Sequence, residues 1–361
     1  MMVVIELRVI ISAGGTGGHI YPALSIINKI KEKEPNSEIL YIGTTNRMES
    51  ELVPKLGINY KGVNVIGLKK NLSVFKAVPL FLLAINKCKK IINDFKPDVV
   101  IGVGGYITAP VIYSAKKLGI KTIIHEQNSI PGKTNLFLSK YADKILVSLP
   151  DSINKFKGEV VLTGNPRSQE AYYAKPLKKE ELGFDSNKKL VLIVMGSLGS
   201  TTITNSMLEI ISKFKDCDYE VLIITGKNYY DSYPKKLPEN VRILPFMDNM
   251  VNLLKNVDVI VTRAGASVIS EILAVGLPSI LVPSPYVANN HQFYNAQDLV
   301  NKSAALLLEE KDFNSDNLLK KIDLLLENSV LYKEISSNAK KLGIISSCDK
   351  IYGEIKKTIR G

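Results

Sequence analysis

The chain has 361 residues, 45% hydrophobic and 23% charged, which is too long for one ordinary core, suits two globular domains and excludes a disordered or low-complexity chain. Its three cysteines, Cys88, Cys217 and Cys348, are scattered without a C-x-x-C pair, so they argue against a disulfide framework or a zinc site and fit a reducing cytoplasm. The net charge of +12 is uneven: residues 1–166 carry 22 Lys and Arg against 12 Asp and Glu, whereas residues 167–361 carry 25 against 23.

A basic first half suits a nucleic acid, an anionic membrane surface or simply a lysine-rich solvated face. At the N-terminus Glu6 and Arg8 interrupt the apolar run and no small-residue cleavage site follows, so no signal peptide is expected.

Chain order begins with the stretch that organises the rest, Val9 to Leu24, VIISAGGTGGHIYPAL. A short β-branched run meets Gly14, Gly15, Gly17 and Gly18, then a His-x-x-Pro step into an amphipathic segment. This reads as strand, tight turn and helix, with backbone open to a ligand and helix-start amides that suit an anion. It is not the dinucleotide fingerprint. Counting G-x-G-x-x-G from Gly15 reaches Ile20, and the second strand ends in Gly43-Thr44-Thr45 without the required acid. No Gly-Lys-Ser/Thr follows, so it is not a Walker loop either.

Further strands are predicted at 39–42, 98–102, 121–125, 144–148 and 160–162, after the first at 8–12. Helices are predicted at 20–33, 47–56, 76–94, 108–118 and 131–140. Such alternation implies a parallel sheet covered on both faces. Within it, Lys69 to Lys90 carries a nine-residue apolar run, Ala77 to Ile85, well short of the roughly 20 residues that span a bilayer. Its Phe75, Val78, Leu80, Phe81, Leu82 and Leu83 are flanked by Lys69, Lys70, Lys76, Lys87, Lys89 and Lys90. That composition fits either a segment lying in a membrane interface or a helix burying one side in its own domain.

Residues 149–189 read as a hinge region, and the alternation then restarts. Leu190 to Ser200, LVLIVMGSLGS, repeats the opening device of an apolar strand and a small-residue turn. Strands follow at 220–225, 241–244, 258–261, 279–282 and 304–308, and residues 331–360 are helical. The fold class is therefore α/β with two similar halves, each opening on a turn at a strand's carboxyl end, where open α/β sheets bind ligands. The expected domains are 1–165 and 166–340, with about 340–361 packing back on the first.

All three histidines sit beside polar or glycine turns. His19 ends GGTGGH, His125 opens HEQN, and His291 lies in NNHQ. Gly102 to Pro110 is a second glycine turn. Glu126 and Asn128 are hydrogen-bonding candidates for a sugar or peptide. In the second half, Gly196 to Thr201 offers amides and hydroxyls that suit a diphosphate. Arg263 to Glu271 reads as strand end, turn and helix start, with Glu271 on the face of Ser267 and able to accept from ribose hydroxyls. Asn289, Asn290, His291, Gln292 and Asn295 add amides for sugar hydroxyls. One D-x-D, Asp216-Cys217-Asp218, falls at the amino end of a strand and reads as a surface turn, so no metal site is expected.

Together GGTGGHIYPAL, VGGYITAP, HEQN, TGNPR, GSLGS, RAGASVISE and NNHQFYNAQ resemble the MurG family of transferases of peptidoglycan synthesis. The motifs run in order from residue 14 to about 297. The resemblance implies a GT-B fold: two Rossmann-like domains with parallel sheets and an interdomain cleft. It implies an inverting hexosyltransferase that moves N-acetylglucosamine from UDP-N-acetylglucosamine to undecaprenyl-diphospho-muramoyl-pentapeptide, with no cofactor.

By the same resemblance Ser197 meets the diphosphate, Glu271 the ribose and the Met247 backbone the uracil. Ala266, Ser267, Val268, Ile269, Ser270 and Glu271 line the nucleotide, and Gln292 and Asn295 hold the sugar. Thr16, Gly17, Gly18 and Asn128 reach from the first domain. Gly104, Gly105, Tyr106 and His125 are assigned to the acceptor side, and Arg167 to the nucleotide. The family's commoner GNP-x-Arg is one residue shorter here, Gly164-Asn165-Pro166-Arg167, and His291 stands where some members have glutamine. A polyprenyl acceptor favours the membrane reading of 72–85, and hence a peripheral position on the cytoplasmic face of the plasma membrane.

The expected chemistry is in-line attack of an acceptor hydroxyl on the donor's anomeric carbon, with His19 or Glu126 as base. Competing readings are a GT-B transferase acting on a diacylglycerol lipid, against which GGTGGHIYP and HEQN count, and a UDP-sugar epimerase, which has no use for a lysine-rimmed apolar patch. A nucleic-acid binder would explain the charge, but no recognised module or aromatic platform is present, so no nucleic-acid partner is expected.

Overall fold

The computed structural model describes residues 7–65, 74–196, 200–247 and 250–361, without the side chains of 74–77 and 288. The chain divides into two compact units, Met1–Arg167 with Ser346–Gly361, and Ser168–Ile345.

The first unit runs β1 (Arg8–Ser12), α1 (Gly17–Lys33), β2 (Glu38–Thr44), α2 (Met48–Lys55), β3 (Asn59–Val63), α3 (Val74–Phe95), β4 (Val99–Gly102), α4 (Thr108–Lys117), β5 (Lys121–Glu126), α5 (Lys133–Leu138), β6 (Lys144–Val147) and β7 (Val160–Leu162). All seven strands are parallel, in the order β3-β2-β1-β4-β5-β6-β7. Successive residues of each strand enter different cores. Val9 and Ile11 join Ile20, Ile26, Ile27 and Ile30 of α1 on one face. Ile10 joins Cys88 and Ile92 of α3 and Val111, Ile112 and Ala115 of α4 on the other. A continuous β-branched run is what a strand buried on both faces requires.

α6 (Pro166–Tyr173) leads into the second unit, which runs β8 (Leu190–Val194), α7 (Thr201–Ile210), β9 (Glu220–Ile224), β10 (Val241–Leu244), α8 (Met250–Leu253), β11 (Val259–Thr262), α9 (Ala266–Val275), β12 (Ser279–Leu281), α10 (His291–Asn301), β13 (Leu306–Leu307), α11 (Ser315–Glu327) and α12 (Ser329–Leu342). Its six strands are parallel, in the order β10-β9-β8-β11-β12-β13. Val191 and Ile193 face one core, Leu190, Leu192 and Val194 the other. Finally α13 (Ser347–Arg360) returns to the first unit, where Ile351 and Ile355 join the core under α1. Three ion pairs among the described residues fasten it there, Glu354 to Lys144 at 2.7 Å, Lys356 to Glu34 at 2.7 Å and Asp349 to Lys29 at 3.3 Å.

Besides shifts in element bounds and a break at 343–346 within the expected helical stretch 331–360, two details differ from the sequence expectation. β3 is an additional edge strand, paired only with β2, whose Tyr60 stacks on Tyr41 at 5.8 Å. And α1 begins at Gly17, three residues earlier than predicted, so the second glycine pair forms its first turn.

Candidate active site

In each sheet the strand order reverses between the first and fourth strands, and ligands of open α/β sheets bind outside the carboxyl ends at such a reversal. The glycine turns follow those strands. In the first unit Gly14 and Gly15 follow β1, and Gly104 and Gly105 follow β4. The Gly14 N–H donates to the Gly104 carbonyl at 3.3 Å. Gly104 (φ 98°) and Gly105 (φ 88°) are in the left-handed region. A Cβ on Gly105 would lie 2.3 Å from the Gly14 oxygen, and one on Gly104 would lie 2.5 Å from Cδ2 of His19 and 2.9 Å from its Nε2. The two turns therefore interlock, and the His19 ring rests directly on the second.

His19 sits in the first turn of α1, after an extended N-cap at Thr16 (φ −146°, ψ 157°) that makes no side-chain cap bond. Thr16 and Gly18 are exposed, while Gly17 and His19 are half-exposed. Nδ1 of His19 lies 3.2 Å from the Gly14 carbonyl and 3.4 Å from Oγ1 of Thr16. Donation from Nδ1–H to that carbonyl sets the tautomer in which Nε2 is the basic nitrogen.

A carboxylate that the motif reading passed over underlies this turn. Glu49, in the first turn of α2, is fully buried. It accepts the Gly15 N–H at 3.1 Å, the Thr44 N–H at 3.1 Å and the Thr44 hydroxyl at 2.7 Å. Tyr41 donates its hydroxyl to the Ala13 carbonyl at 3.0 Å, and Tyr60 donates to the Thr44 carbonyl. Burial, with the Glu49 charge added, holds both phenols above their ordinary pKa.

The HEQN segment corrects the expectation that its side chains face outward. His125 is wholly buried; Nε2–H donates to the Gly164 carbonyl at 3.1 Å and Nδ1 accepts from the Gln127 amide at 3.1 Å. Burial pushes its pKa down to about 4, so it is a neutral structural ring rather than an acceptor contact. Glu126 is only 2% exposed and receives four donors: the Asn128 N–H and side-chain amide, the Gly132 N–H and the Asn135 side-chain amide at 2.8 Å. That is the bonding of a loop anchor, not of a base open to a substrate proton. Asn128, Gly105 and Tyr106 are half-exposed at the same strand ends, while Gly104 is buried. Arg167, half-exposed, lies over the Tyr21 ring at 5.6 Å.

In the second unit Ser197 lies outside the described residues, as do Leu198 and Gly199. Ser200, the N-cap of α7, accepts from Arg263 at 2.9 Å. Arg263 is buried at the end of β11, where it also pairs with Glu310 at 2.6 Å and donates to the Val282 carbonyl at 3.2 Å. One guanidinium thus ties together the turns after β8, β11 and β12. Gly265 is the N-cap of α9.

Ser267 and Val268 are half-exposed in the first turn of α9, and Glu271 is nearly buried one turn on. Three expected ligand contacts face inward instead. Ile269 lies in the core, Ser270 donates to the Ala266 carbonyl, and the fully buried Asn295 donates to the Ala264 carbonyl at 3.1 Å. Ala266 is almost buried and contributes backbone. Gln292 is half-exposed; its oxygen accepts the Ser284 N–H at 2.8 Å, which leaves donation as what it offers a sugar. Met247 is half-buried against the core beside β8 and β9. His291 opens α10 after Asn290 (φ 50°). Among the described residues no group of three or more His, Cys, Asp or Glu is placed to hold a metal ion.

Residues 9–147 match the glycosyltransferase family 28 N-terminal domain and 190–347 the family 28 C-terminal domain. The chain is 45% identical to a UDP-N-acetylglucosamine–N-acetylmuramyl-(pentapeptide) pyrophosphoryl-undecaprenol N-acetylglucosamine transferase of Bacillus cytotoxicus, over 98% of this chain and all of that one. It is 41% identical to the transferase of the same name from Pediococcus pentosaceus, over 97% and 99%. The crystal structure of Acinetobacter baumannii MurG superposes with a TM-score of 0.77 at 26% identity, covering 97% of this chain and 99% of that one. A UDP-N-acetylglucosamine 2-epimerase of Neisseria meningitidis shares the fold alone, at 17% identity and a TM-score of 0.66. The paired Rossmann-like units, both family 28 domains and this full-length identity make the chain a member of the MurG family of glycosyltransferases.

Proposed function

We infer that the protein transfers N-acetylglucosamine from UDP-N-acetylglucosamine to polyprenyl-diphospho-muramoyl-pentapeptide in peptidoglycan synthesis. The observation that carries this is the 45% identity across the whole of a relative bearing that activity in its name. The epimerase alternative rests on fold alone.

On this reading the second unit holds the donor. The turns after β8 and β11 offer backbone N–H groups at two helix starts, where the charge that develops on the leaving UDP is stabilised. Glu271 accepts from the ribose, Gln292 donates to the sugar and the backbone at Met247 borders the uracil. In the first unit the acceptor hydroxyl is activated by Nε2 of His19, whose partner nitrogen is held by the Gly14 carbonyl at 3.2 Å. Glu126, with four donors on its oxygens, is set aside as base.

Association with an anionic membrane surface is supported by α3 and α5, which flank α4. Val78, Leu82 and Leu83 are 51%, 54% and 64% exposed, and Leu136 and Phe137 are exposed on α5. Lys87, Lys90, Lys116, Lys117, Lys133 and Lys140 are exposed on the same three helices or beside them. Lys69, Lys70 and the side chains of Phe75 and Lys76 lie outside the described residues. No described helix is long and apolar enough to cross a membrane, and exposed apolar residues on α3 and α5 among lysines of all three helices suit lying at its surface.

The deciding assay is transfer of labelled N-acetylglucosamine from its UDP donor to the polyprenyl acceptor in detergent, with and without EDTA. Product in EDTA is expected. His19→Gln is expected to lower kcat by ~10²–10⁴ and to abolish the acidic limb of the pH profile. An acidic limb retained in that variant would assign the base elsewhere, and absence of product while UDP still binds would point to a different lipid acceptor.

A further inference from the structure

We propose that Glu49 is a positioning residue for the transfer step, a buried internal anion that fixes the Gly14–His19 turn. The proposal rests on the assignment of that turn to the acceptor reaction. The carboxylate has no exposed surface, and the sequence around it is cut to fit. A Cβ on Gly14 would meet its Oε1 at 2.3 Å, and a Cβ on Gly43 would meet its Cγ at 2.7 Å. Its three donors come from two places: the Thr44 N–H and hydroxyl at the end of β2, and the Gly15 N–H after β1. The first two anchor the carboxylate; the third is what it acts on.

Gly15 (φ 90°) has no side chain and no atom within 4 Å of where its Cβ would stand, so nothing else fixes its backbone from that side. The Gly15 amide is thereby committed inward, which registers the next residues, Thr16 to His19, outward. The Gly14 carbonyl that orients Nδ1 of His19 belongs to the peptide whose N–H Glu49 holds, so the carboxylate reaches the proposed base through one rigid planar unit.

Glu49→Gln keeps the volume but sets an N–H₂ against either the Gly15 or the Thr44 N–H, donor against donor. Thr44→Val is the companion variant: it removes one anchoring donor and leaves the Gly15 contact. Each is measured for kcat, for KM of both substrates, for thermal midpoint, and for the stabilisation that UDP confers. Expected for Glu49→Gln is a kcat lower by ~10–100-fold, as for a displacement of about 1 Å at the base, with the KM for UDP-N-acetylglucosamine and the UDP stabilisation as in wild type. Thr44→Val is expected to lose thermal midpoint and to lose less kcat than Glu49→Gln, because Oε1 keeps the Thr44 N–H and Oε2 keeps the Gly15 N–H. A Glu49→Gln enzyme with wild-type kcat, whatever its midpoint, overturns the positioning role. His19→Gln run in parallel separates the two failures. If His19→Gln loses kcat and Glu49→Gln does not, Glu49 is structural only; if neither loses kcat, the turn does not serve the reaction and the proposal falls with that reading.

Discussion

Gly104→Ala tests whether the interlocked turns matter to catalysis or only to folding. Two costs arise. The residue keeps φ 98°, where an L side chain is strained by ~1–2 kcal/mol, and in a domain of this size that lowers the thermal midpoint by roughly 2–8 °C. The second cost is local. The new Cβ would stand 2.5 Å from Cδ2 of His19, against 3.4 Å for ordinary contact, so the ring must withdraw by about 0.9 Å. A displacement of about 1 Å at a catalytic group costs ~10²-fold in rate.

Gly119→Ala is the matching control. It sits at φ 74° between α4 and β5, at the amino ends of the strands, with nothing within 4 Å of its Cβ position. It carries the backbone strain without touching the site. Both variants are assayed for labelled transfer and for thermal midpoint. The expected result is a similar loss of midpoint in both and a ~10²-fold loss of kcat in Gly104→Ala alone. Equal kcat in the two variants would refute the placement of His19 at the reacting centre.

Three further outcomes follow from the geometry. Because the His125 pKa lies at about 4, below its ordinary 6.5, the folded state binds fewer protons than the unfolded one; the stability this group contributes is full above pH 6.5 and is lost as pH falls to about 4, about 3 kcal/mol in all. His125→Gln should flatten denaturation midpoints across that window, and an unchanged slope would contradict the buried neutral ring. Asn295→Ala leaves the buried Ala264 carbonyl without its donor, a loss of ~1–3 kcal/mol; the KM for UDP-N-acetylglucosamine should rise while that for the acceptor holds, and a rise in the acceptor KM alone would show the turn serves the other substrate. Leu82→Glu with Leu83→Glu should abolish cosedimentation with anionic vesicles and leave turnover of a detergent-soluble acceptor intact; undiminished sedimentation would remove α3 from the membrane surface.

The sequence was most legible where one physical pattern dominates. Leu190–Val194 and Val99–Gly102 are continuous apolar runs because both faces of a parallel strand are covered; the second matches its predicted bounds to within a residue, and the first opens the stretch read as strand and turn. β3 was missed because Asn59–Val63 is an edge strand, half wet, whose Lys61 and Gly62 break the pattern. α1 starts early because Gly17 and Gly18, poor helix formers, are held by the fold rather than by propensity. HEQN misled for a different reason: polarity does not say which way a side chain points. His125, Glu126 and Gln127 turn inward to satisfy the loop's own backbone and amides, and only Asn128 emerges. Glu49 carried no motif at all, since its partners, Thr44 and Gly15, are five and 34 residues away.

The two units prop their turns with different chemistry, an acceptor in one and donors in the other, and on the proposed reading the difference bears on which substrate each handles. Both hang their turns at the strand reversal, and both prop them from beneath with buried polar side chains. In the first unit the prop is a carboxylate, Glu49, which takes an N–H away from any ligand. In the second the props are donors: Asn295 occupies the Ala264 carbonyl and Arg263 bonds Ser200. Donor props hold carbonyls and hydroxyls inward, which on the proposed reading leaves the amide ends of α7 and α9 to the ligand, with a guanidinium behind them that pairs with Glu310. On the proposed reading such a turn favours an anion, the leaving diphosphate, and the turn whose amide Glu49 already occupies is left to the neutral acceptor hydroxyl. The first half's excess of positive charge does not contradict this, because the exposed lysines of α3, α4 and α5 lie on helices that cover the sheet's face rather than in the turns. The exposed lysines of those three helices belong to the proposed membrane surface, away from the glycine turns.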